Sequence, residues 1–362
     1  ALVEPGAFGR ICVFAARSTD YLVDVVGYWP GDVDRDPIDH PHTFSVTTAV
    51  ELMSSLERAS DGDILDVDPN EQIDLTGHKD ISIPANITIR GGRSGGVAGA
   101  LLRSLEQYQL PPYGTWNLFR TAGPGIVIED LRLEGPDGTS ALGFMAGGIT
   151  IGHDDVVVRN TELYHWPAHG IATSGDDTVI EGNDIHDNIR AGRGYGVVVG
   201  ATDTPTIIRN NVFTRNRHSV AGNGYGSYTV HHNLFAASAS QGVLPLVDMH
   251  GVNEHLLDNS THQAGVDIHI HHNDFEYADT VISFIDIRGI PVHTAIIEDN
   301  CVSRTDVAWV RQSDMSAYPS NQPGLVCYDK SSTWLCHTPT FGSNMTNIVV
   351  QNNQMGSPTG CR

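Results

Sequence analysis

Short apolar runs, each closed by a polar residue and an asparagine, recur along the chain. Val157-Val158-Arg159-Asn160-Thr161 is followed by Val179-Ile180-Glu181-Gly182-Asn183 and then by Ile207-Ile208-Arg209-Asn210-Asn211. Thr229 to Asn233, His269 to Asn273, Ile296 to Asn300 and Val349 to Asn353 continue the series. Several members carry an apolar residue two places after the asparagine, as in Asn211-Val212-Phe213, Asn233-Leu234-Phe235 and Asn273-Asp274-Phe275. Thr161 to Asn183 and Asn211 to Asn233 are each 22 residues apart. A period in the twenties, with one strand–turn–strand unit per repeat, predicts a solenoid whose strands lie about 4.8 Å apart from coil to coil. The fold expected is all-β, a right-handed parallel β-helix. Asparagine suits its turns because the amide bonds turn backbone and the equivalent amide one coil away, and because it tolerates left-handed backbone.

The first repeat has a distinct approach. Thr48-Ala49-Val50-Glu51 reads as a capping box opening a helix through about Ala59, with Val50, Met53 and Leu56 on one face. Such a helix is expected to cover the open N-terminal end of the apolar core. Ile83-Pro84-Ala85-Asn86-Ile87-Thr88-Ile89-Arg90-Gly91 leads into the first coils. Residues 1–41 stand outside the repeat and read as a small β appendage or the end of a preceding module, with 42–362 as the β-helix domain. Residues 312–345 break the repeat with Pro, Ser and two cysteines, as a disulfide-tied insertion would.

Composition narrows the partners. The formal charge is −22 and only Lys79 and Lys330 are lysines, so no basic field draws in nucleic acid or an anionic membrane. Four of the five cysteines, Cys301, Cys327, Cys336 and Cys361, crowd the C-terminal end, as in an exported, disulfide-bearing chain. An extracellular, secreted monomer is the expectation. Ala1 to Gly6 lacks a basic region leading into an apolar core, so an export signal is expected to have been removed.

Chemistry concentrates in the middle coils, where thirteen of the 18 histidines lie between His153 and His272. Arg215-Asn216-Arg217-His218, Asp248-Met249-His250 and Ile285-Asp286-Ile287-Arg288 are the informative segments. Asp248 follows Asn233 by 15 residues and Arg288 follows Asn273 by 15, which predicts that the two stack on adjacent coils. His250, two residues beyond Asp248, leaves the same face of an extended strand. The segment Val252 to Gly265 is extra length that would wall one side of a groove. Arg190, Arg193, Arg217, His218, Asp248, His250 and Arg288 then form a locally cationic groove on an acidic body, suited to holding a carboxylate. Tyr195, Tyr225, His169, Trp166 and Asp286 are expected to bind substrate alongside. His231-His232 and His271-His272 occupy equivalent coil positions; stacked turn residues account for them, and no metal site is assigned.

The helix-led entry, the Ile-Pro-Ala-Asn-Ile-Thr-Ile-Arg-Gly segment and the asparagine series resemble the pectate-lyase-like β-helix superfamily, from about residue 42 to 356. That scaffold carries lyases, hydrolases, epimerases, tailspikes and adhesins alike. Asp248-Met249-His250 resembles the Asp-Pro-His element of mannuronan C5-epimerases, which are related in mechanism to alginate lyases. The family's tyrosine three residues before the aspartate is Pro245 here. The resemblance implies a polysaccharide lyase acting on a uronic-acid-containing polysaccharide by β-elimination. His250 would be the base, oriented by Asp248, with Arg288 or Arg217 neutralising the substrate carboxylate and His218, Tyr225 or Tyr195 as acid. A C5-epimerase, a glycoside hydrolase pairing Asp248 with Asp286 or Asp267, and a non-catalytic glycan-binding surface protein stand as alternatives. No cofactor is called for by the residues. The resemblance brings calcium, for which Asp154-Asp155 and Asp176-Asp177 are candidate turns.

Overall fold

The computed structural model describes residues 41–105, 116–137, 145–190, 192–238, 245–252, 263–276, 283–302, 308–313, 325–328 and 347–355. The chain divides into two units, residues 1–42 and 43–362. The second unit is a parallel β-helix of three sheets, with 11, 10 and 10 strands. Each coil contributes one strand to sheet A, one to sheet B and one to sheet C in that order, as in Val157–Arg159, Glu162–Tyr164 and His169–Thr173. Among the described residues every pairing within the sheets is parallel except that of Ala308–Ser313 with Leu325–Tyr328.

The expected helix forms at Ala49–Arg58, with both halves of the Thr48/Glu51 capping box made. Its inner face differs from expectation. Leu52, Ser55 and Leu56 are buried, whereas Val50 is 77% exposed, so the apolar stripe is read correctly only at Leu56 and the partly buried Met53. Among the described residues no helix is long and apolar enough to cross a membrane.

Period-2 alternation sends one residue of each strand inward, and parallel register stacks like on like. In sheet B the inward column runs Leu163, Ile185, Phe213, Phe235, Phe275. Its rings stack at 5.1 Å and 4.6 Å between centroids, nearly parallel. Each fully buried side chain of this size stabilises the fold by about 1.5–3 kcal/mol.

The asparagines form a continuous ladder from Asn183, buried as far as Asn300: Asn211, Asn233, Asn273, Asn300 and Asn353 each offer Oδ1 to the backbone N–H and the Nδ2 of the one before. The rungs are separated by 28, 22, 40, 27 and 53 residues, so the coils keep register while loops of different length leave between them. A second, shorter ladder at the next corner joins the Trp166 backbone to Asn188 and Asn188 to Asn216. The expected insertion at 312–345 and its disulfide lie almost wholly outside the described residues, as does the appendage at 1–40.

Candidate functional site

The site is built on the outer face of sheet C. Strands His169–Thr173, Tyr195–Val199, His218–Gly222, Val247–Met249 and Ser283–Ile287 lie side by side there. Their register brings His169, Tyr195 and His218 into one outward column. The residue before His169 in that column is Gly147, itself paired with Asn117. A Cβ on Gly147 would sit 2.3 Å from His169 Nε2; its absence lets His169 reach Asn117 Oδ1 at 3.0 Å. Burial, with Arg193 and Arg120 nearby, drives the His169 imidazole down to about 4.

Asp248 is the hub. Its carboxylate points outward, yet it is fully buried. Arg288 donates from Nε to Oδ1 at 2.8 Å and from Nη2 to Oδ2, a bidentate pair. His250 Nε2 lies 3.0 Å and His218 Nε2 3.2 Å from the same Oδ2. Burial alone would raise the Asp248 pKa, but Arg288, His218 and His250 together hold it far below the usual carboxylate range.

The two histidines differ. His218 is fully buried, stacks on Tyr195 at 5.5 Å and commits Nδ1 to the Pro245 carbonyl at 2.6 Å. Burial takes it down to about 4, against the pull of Asp248. With Nδ1 donating to that carbonyl, Nε2 is the unprotonated atom of the neutral ring and faces the hub. The His250 side chain is 21% exposed, the most accessible member of the cluster around Asp248, and its Nε2 faces the same carboxylate. Edge-on ring contacts tie it to both Tyr195 and His218.

Arginines complete the face. Arg217 donates from Nη1 to the Tyr195 hydroxyl at 3.2 Å and lies over that ring. Its backbone N–H is held by the carbonyls of Asn188 and Gly194. Arg190 and Arg193 pair through their backbones in the turn leading to Tyr195. Arg190 Nη1 is buried with no hydrogen-bond partner, and its pKa is lowered by that burial and by Arg193. Among the described residues none of Arg190, Arg193 and Arg217 has a carboxylate within ion-pair distance.

Several sequence expectations change. Asp248 stands in register with Asp286, not with Arg288. Asp286 follows Asn273 by 13 residues (286 − 273) whereas Asp248 follows Asn233 by 15 (248 − 233), so the later coil reaches sheet C two residues sooner. A slip of two preserves the face, and the long Arg288 side chain reaches back to Asp248. Having spent Nε and Nη2 there, Arg288 is the counter-charge of the hub rather than a substrate clamp. Trp166 is fully buried and donates Nε1–H to the Leu133 carbonyl, so no sugar ring can stack on it. Asp286 is buried beside Arg288 at 3.8 Å, closed to substrate. Asp267 belongs to sheet A and pairs with His293, so no accessible carboxylate pair of the hydrolase kind is formed by these residues. Tyr225 is exposed at another corner, on a shallow cleft of ≈ 470 Å³ with Ser174, Asp176, Thr202 and Asp203. The candidate calcium turns use their carboxylates internally: Asp154 accepts from the Asp176 N–H, and Asp176 from those of Asp203 and Thr204. Of the expected groove wall, residues 253–262 lie outside the described residues; Val252 and Gln263 at its base are hydrogen-bonded.

Among the described residues two groups of three side chains have metal-ligand spacing: His218, Asp248 and His250, and on sheet B Glu162, Asp184 and His186. In the first, Arg288 already neutralises the carboxylate. In the second, His186 bonds Glu162 and Asp187, and Asp187 bonds Arg215. The Tyr195–His218 stack, the Pro245 carbonyl and the Asn117–His169 bond were not foreseen; the column of polar residues at strand starts is the signal that carries them.

Residues 140–275 match a family model described as right handed beta helix region, which is well under half of the chain. No curated protein matches. Among solved structures, an alginate lyase from Paenibacillus sp. str. FPU-7 is 19% identical, with a TM-score of 0.42, over 72% of this chain and 76% of that one. The PL6 family alginate lyase AlyGC is 13% identical, with a TM-score of 0.49, over 86% of this chain and 38% of that one. A tailspike protein of an E. coli bacteriophage, in complex with a pentasaccharide, is 11% identical, with a TM-score of 0.41, over 85% of this chain and 62% of that one.

Proposed function

We propose that the protein is an exported polysaccharide lyase that cleaves a uronic-acid-containing polysaccharide by β-elimination on the outer face of sheet C. The observation that carries this reading is the pairing of two features on one face. A partly exposed histidine, His250, contacts Tyr195, and Tyr195 is bonded to one of three arginines that lack a carboxylate partner among the described residues, in a chain carrying a formal charge of −22. A substrate carboxylate is the group that completes Arg217, Arg190 and Arg193. Neutralised in this way, it acidifies the adjacent ring carbon. His250 takes that carbon's proton, and the Asp248 carboxylate, 3.0 Å from its Nε2, stabilises the imidazolium. The electron pair released forms the new double bond as the glycosidic C–O bond breaks. The departing oxygen takes its proton from the Tyr195 hydroxyl, which Arg217 holds in place.

The test is the ultraviolet band of a conjugated unsaturated uronate, followed across a panel of uronic polysaccharides with and without calcium. A rise is expected with at least one substrate, and His250→Ala is expected to lower its rate by about 10²–10⁴ without lowering stability. No rise on any substrate would reject the lyase. The C5-epimerase, which needs the same clamp and base, would then be read from solvent-deuterium uptake at the acidified carbon.

A further inference from the structure

Away from that face, sheet A carries a column of charged residues at the ends of its strands. Glu129, Arg159, Glu181 and Arg209 stand in successive register, acid and base alternating. The next two coils interrupt the alternation with His231 and His271, after which Glu298 and Gln351 follow. The residue after each is a left-handed turn position, filled by Asp130, Asn160, Gly182, Asn210, Asp299 and Asn352 elsewhere. In the two interrupted coils it is again histidine, His232 at φ 55° and His272 at φ 52°. The turn itself asks only for a residue that tolerates left-handed backbone, which Asn, Asp and Gly do. Histidine tolerates it too, as His165 does at φ 63°, so the turn accommodates His232 and His272 but gives no reason for the histidine that precedes each.

Their geometry supplies one. Within each coil the two Nδ1 atoms approach to 2.8 Å and 2.9 Å. Two imidazole nitrogens this close make an N–H···N hydrogen bond, and the same separation suits a bridging metal ion. With metal–nitrogen bonds of about 2.0–2.1 Å, it subtends about 85° at the ion, the cis angle of square-planar or octahedral coordination. Between coils the rings stack almost parallel, His231 on His271 at 4.9 Å and His232 on His272 at 5.1 Å between centroids. The close nitrogen pairs lie within a coil, one pair to each. All four rings reach the surface, with His232 and His272 exposed. Glu298, bonded to His269 at 2.9 Å, adds negative charge next to His271.

We infer that His231–His232 and His271–His272 are two stacked two-nitrogen sites for divalent transition ions of the copper and nickel class, one ion per coil. Imidazole pairs with open cis positions favour these ions, copper above nickel. The acidic body raises the local concentration of divalent cations. Because the two ions lie about one coil spacing apart, the second binds more weakly than the first.

The test titrates copper(II) alone into the full chain, followed by calorimetry and electron paramagnetic resonance. Nitrogen hyperfine structure from two ligands is expected at the first equivalent, and broadening from ion–ion coupling at the second. Replacing His232→Asn and His272→Asn keeps a residue the turn already uses in other coils. Together they should weaken copper binding by at least about tenfold, while the uronate assay and thermal unfolding stay as in the wild type. Either single change should leave one site. Absence of uptake by the wild-type chain would overturn the inference, as would unchanged uptake by the double variant. In the latter case loss of the signal in His218→Gln would assign the ion to the cluster at Asp248 instead.

Discussion

Sheets A and C use the same residue types in opposite ways. On sheet A each of Arg90, Arg159 and Arg209 faces a carboxylate one coil away, Asp66, Glu129 and Glu181, at 2.7, 2.6 and 2.6 Å. These pairs are partly exposed, and the coil repeat places acid against base as a matter of register. At the edge of sheet C, Arg190, Arg193 and Arg217 have no carboxylate within ion-pair distance among the described residues, in a chain with 43 acidic and 21 basic residues. A shortage of acids does not explain that. The one carboxylate at the centre of the face, Asp248, is taken up by Arg288 and two histidines. Parallel register thus neutralises these three arginines of sheet A, while the three at this edge of sheet C have no carboxylate within ion-pair distance among the described residues. The difference between the sheets marks the site better than the total charge does.

The comparison breaks most severely if the hub is emptied. Asp248→Asn removes the charge that compensates Arg288, whose side chain is only 16% exposed, and leaves two histidines without their shared acceptor. Unfolding free energy is expected to fall by about 3–5 kcal/mol, the usual result of breaking a buried pair from one side. Denaturant titration measures it. A change below about 1 kcal/mol, the range of exposed pairs, would mean that Asp248 behaves like the sheet A carboxylates.

Next in size is the clamp. Arg217→Ala should lower kcat/KM on a uronic polysaccharide by about tenfold to a hundredfold, the loss of one charge-assisted contact or two. The loss should shrink at high ionic strength, because screening weakens wild-type binding too. Arg217→Lys, which keeps the charge but not the planar fork, should recover only part. An unchanged rate in Arg217→Ala would show that the unpaired arginines are bystanders.

A smaller effect concerns protons. Burial holds the folded pKa of His169 at about 4, below the ordinary 6.5 of an imidazole. Between those values the unfolded chain binds more protons than the folded one, so stability falls as pH drops through that window. His218 acts in the same sense. His169→Gln, which can still donate to Asn117, removes one titrating group. Its stability should decline less steeply than the wild type's from pH 6.5 to about 4, and equal slopes would exclude His169 as a contributor.

Much of this architecture is legible in the sequence because the fold is a repeat. One asparagine per coil, buried and bonded to the next, leaves a mark that survives loops of any length. The same loops conceal register: from Asn233 to Asn273 the ladder spans 40 residues, and nothing in the sequence tells which belong to the coil. Asp248 was therefore matched to Arg288 when its register partner is Asp286. Arg288 still reaches Asp248, because a slip of two residues returns a strand to the same face. Trp166 was misjudged for a different reason. Its neighbours His165 and Pro167 suggest an exposed loop, but Asn188 of the second ladder binds its backbone and turns the ring inward. That ladder was missed because it has only two rungs, each among polar residues. The helix stripe was offset because Val50 and Leu52 differ by about half a turn, and apolarity alone does not choose between them.

The mildest prediction is the control on which the comparison depends. Arg159→Gln cuts a sheet A pair whose arginine side chain is half exposed. Exposed ion pairs contribute about 0–1 kcal/mol because water already solvates both partners and ordering two long side chains costs entropy. Thermal unfolding should shift little, and activity on a uronic polysaccharide should not change at all, since Arg159 lies on the sheet away from the arginine cluster. If Arg159→Gln reduced activity as much as Arg217→Ala, paired and unpaired arginines would be equivalent, and the absence of carboxylates around Arg190, Arg193 and Arg217 would no longer distinguish a site from an ordinary surface.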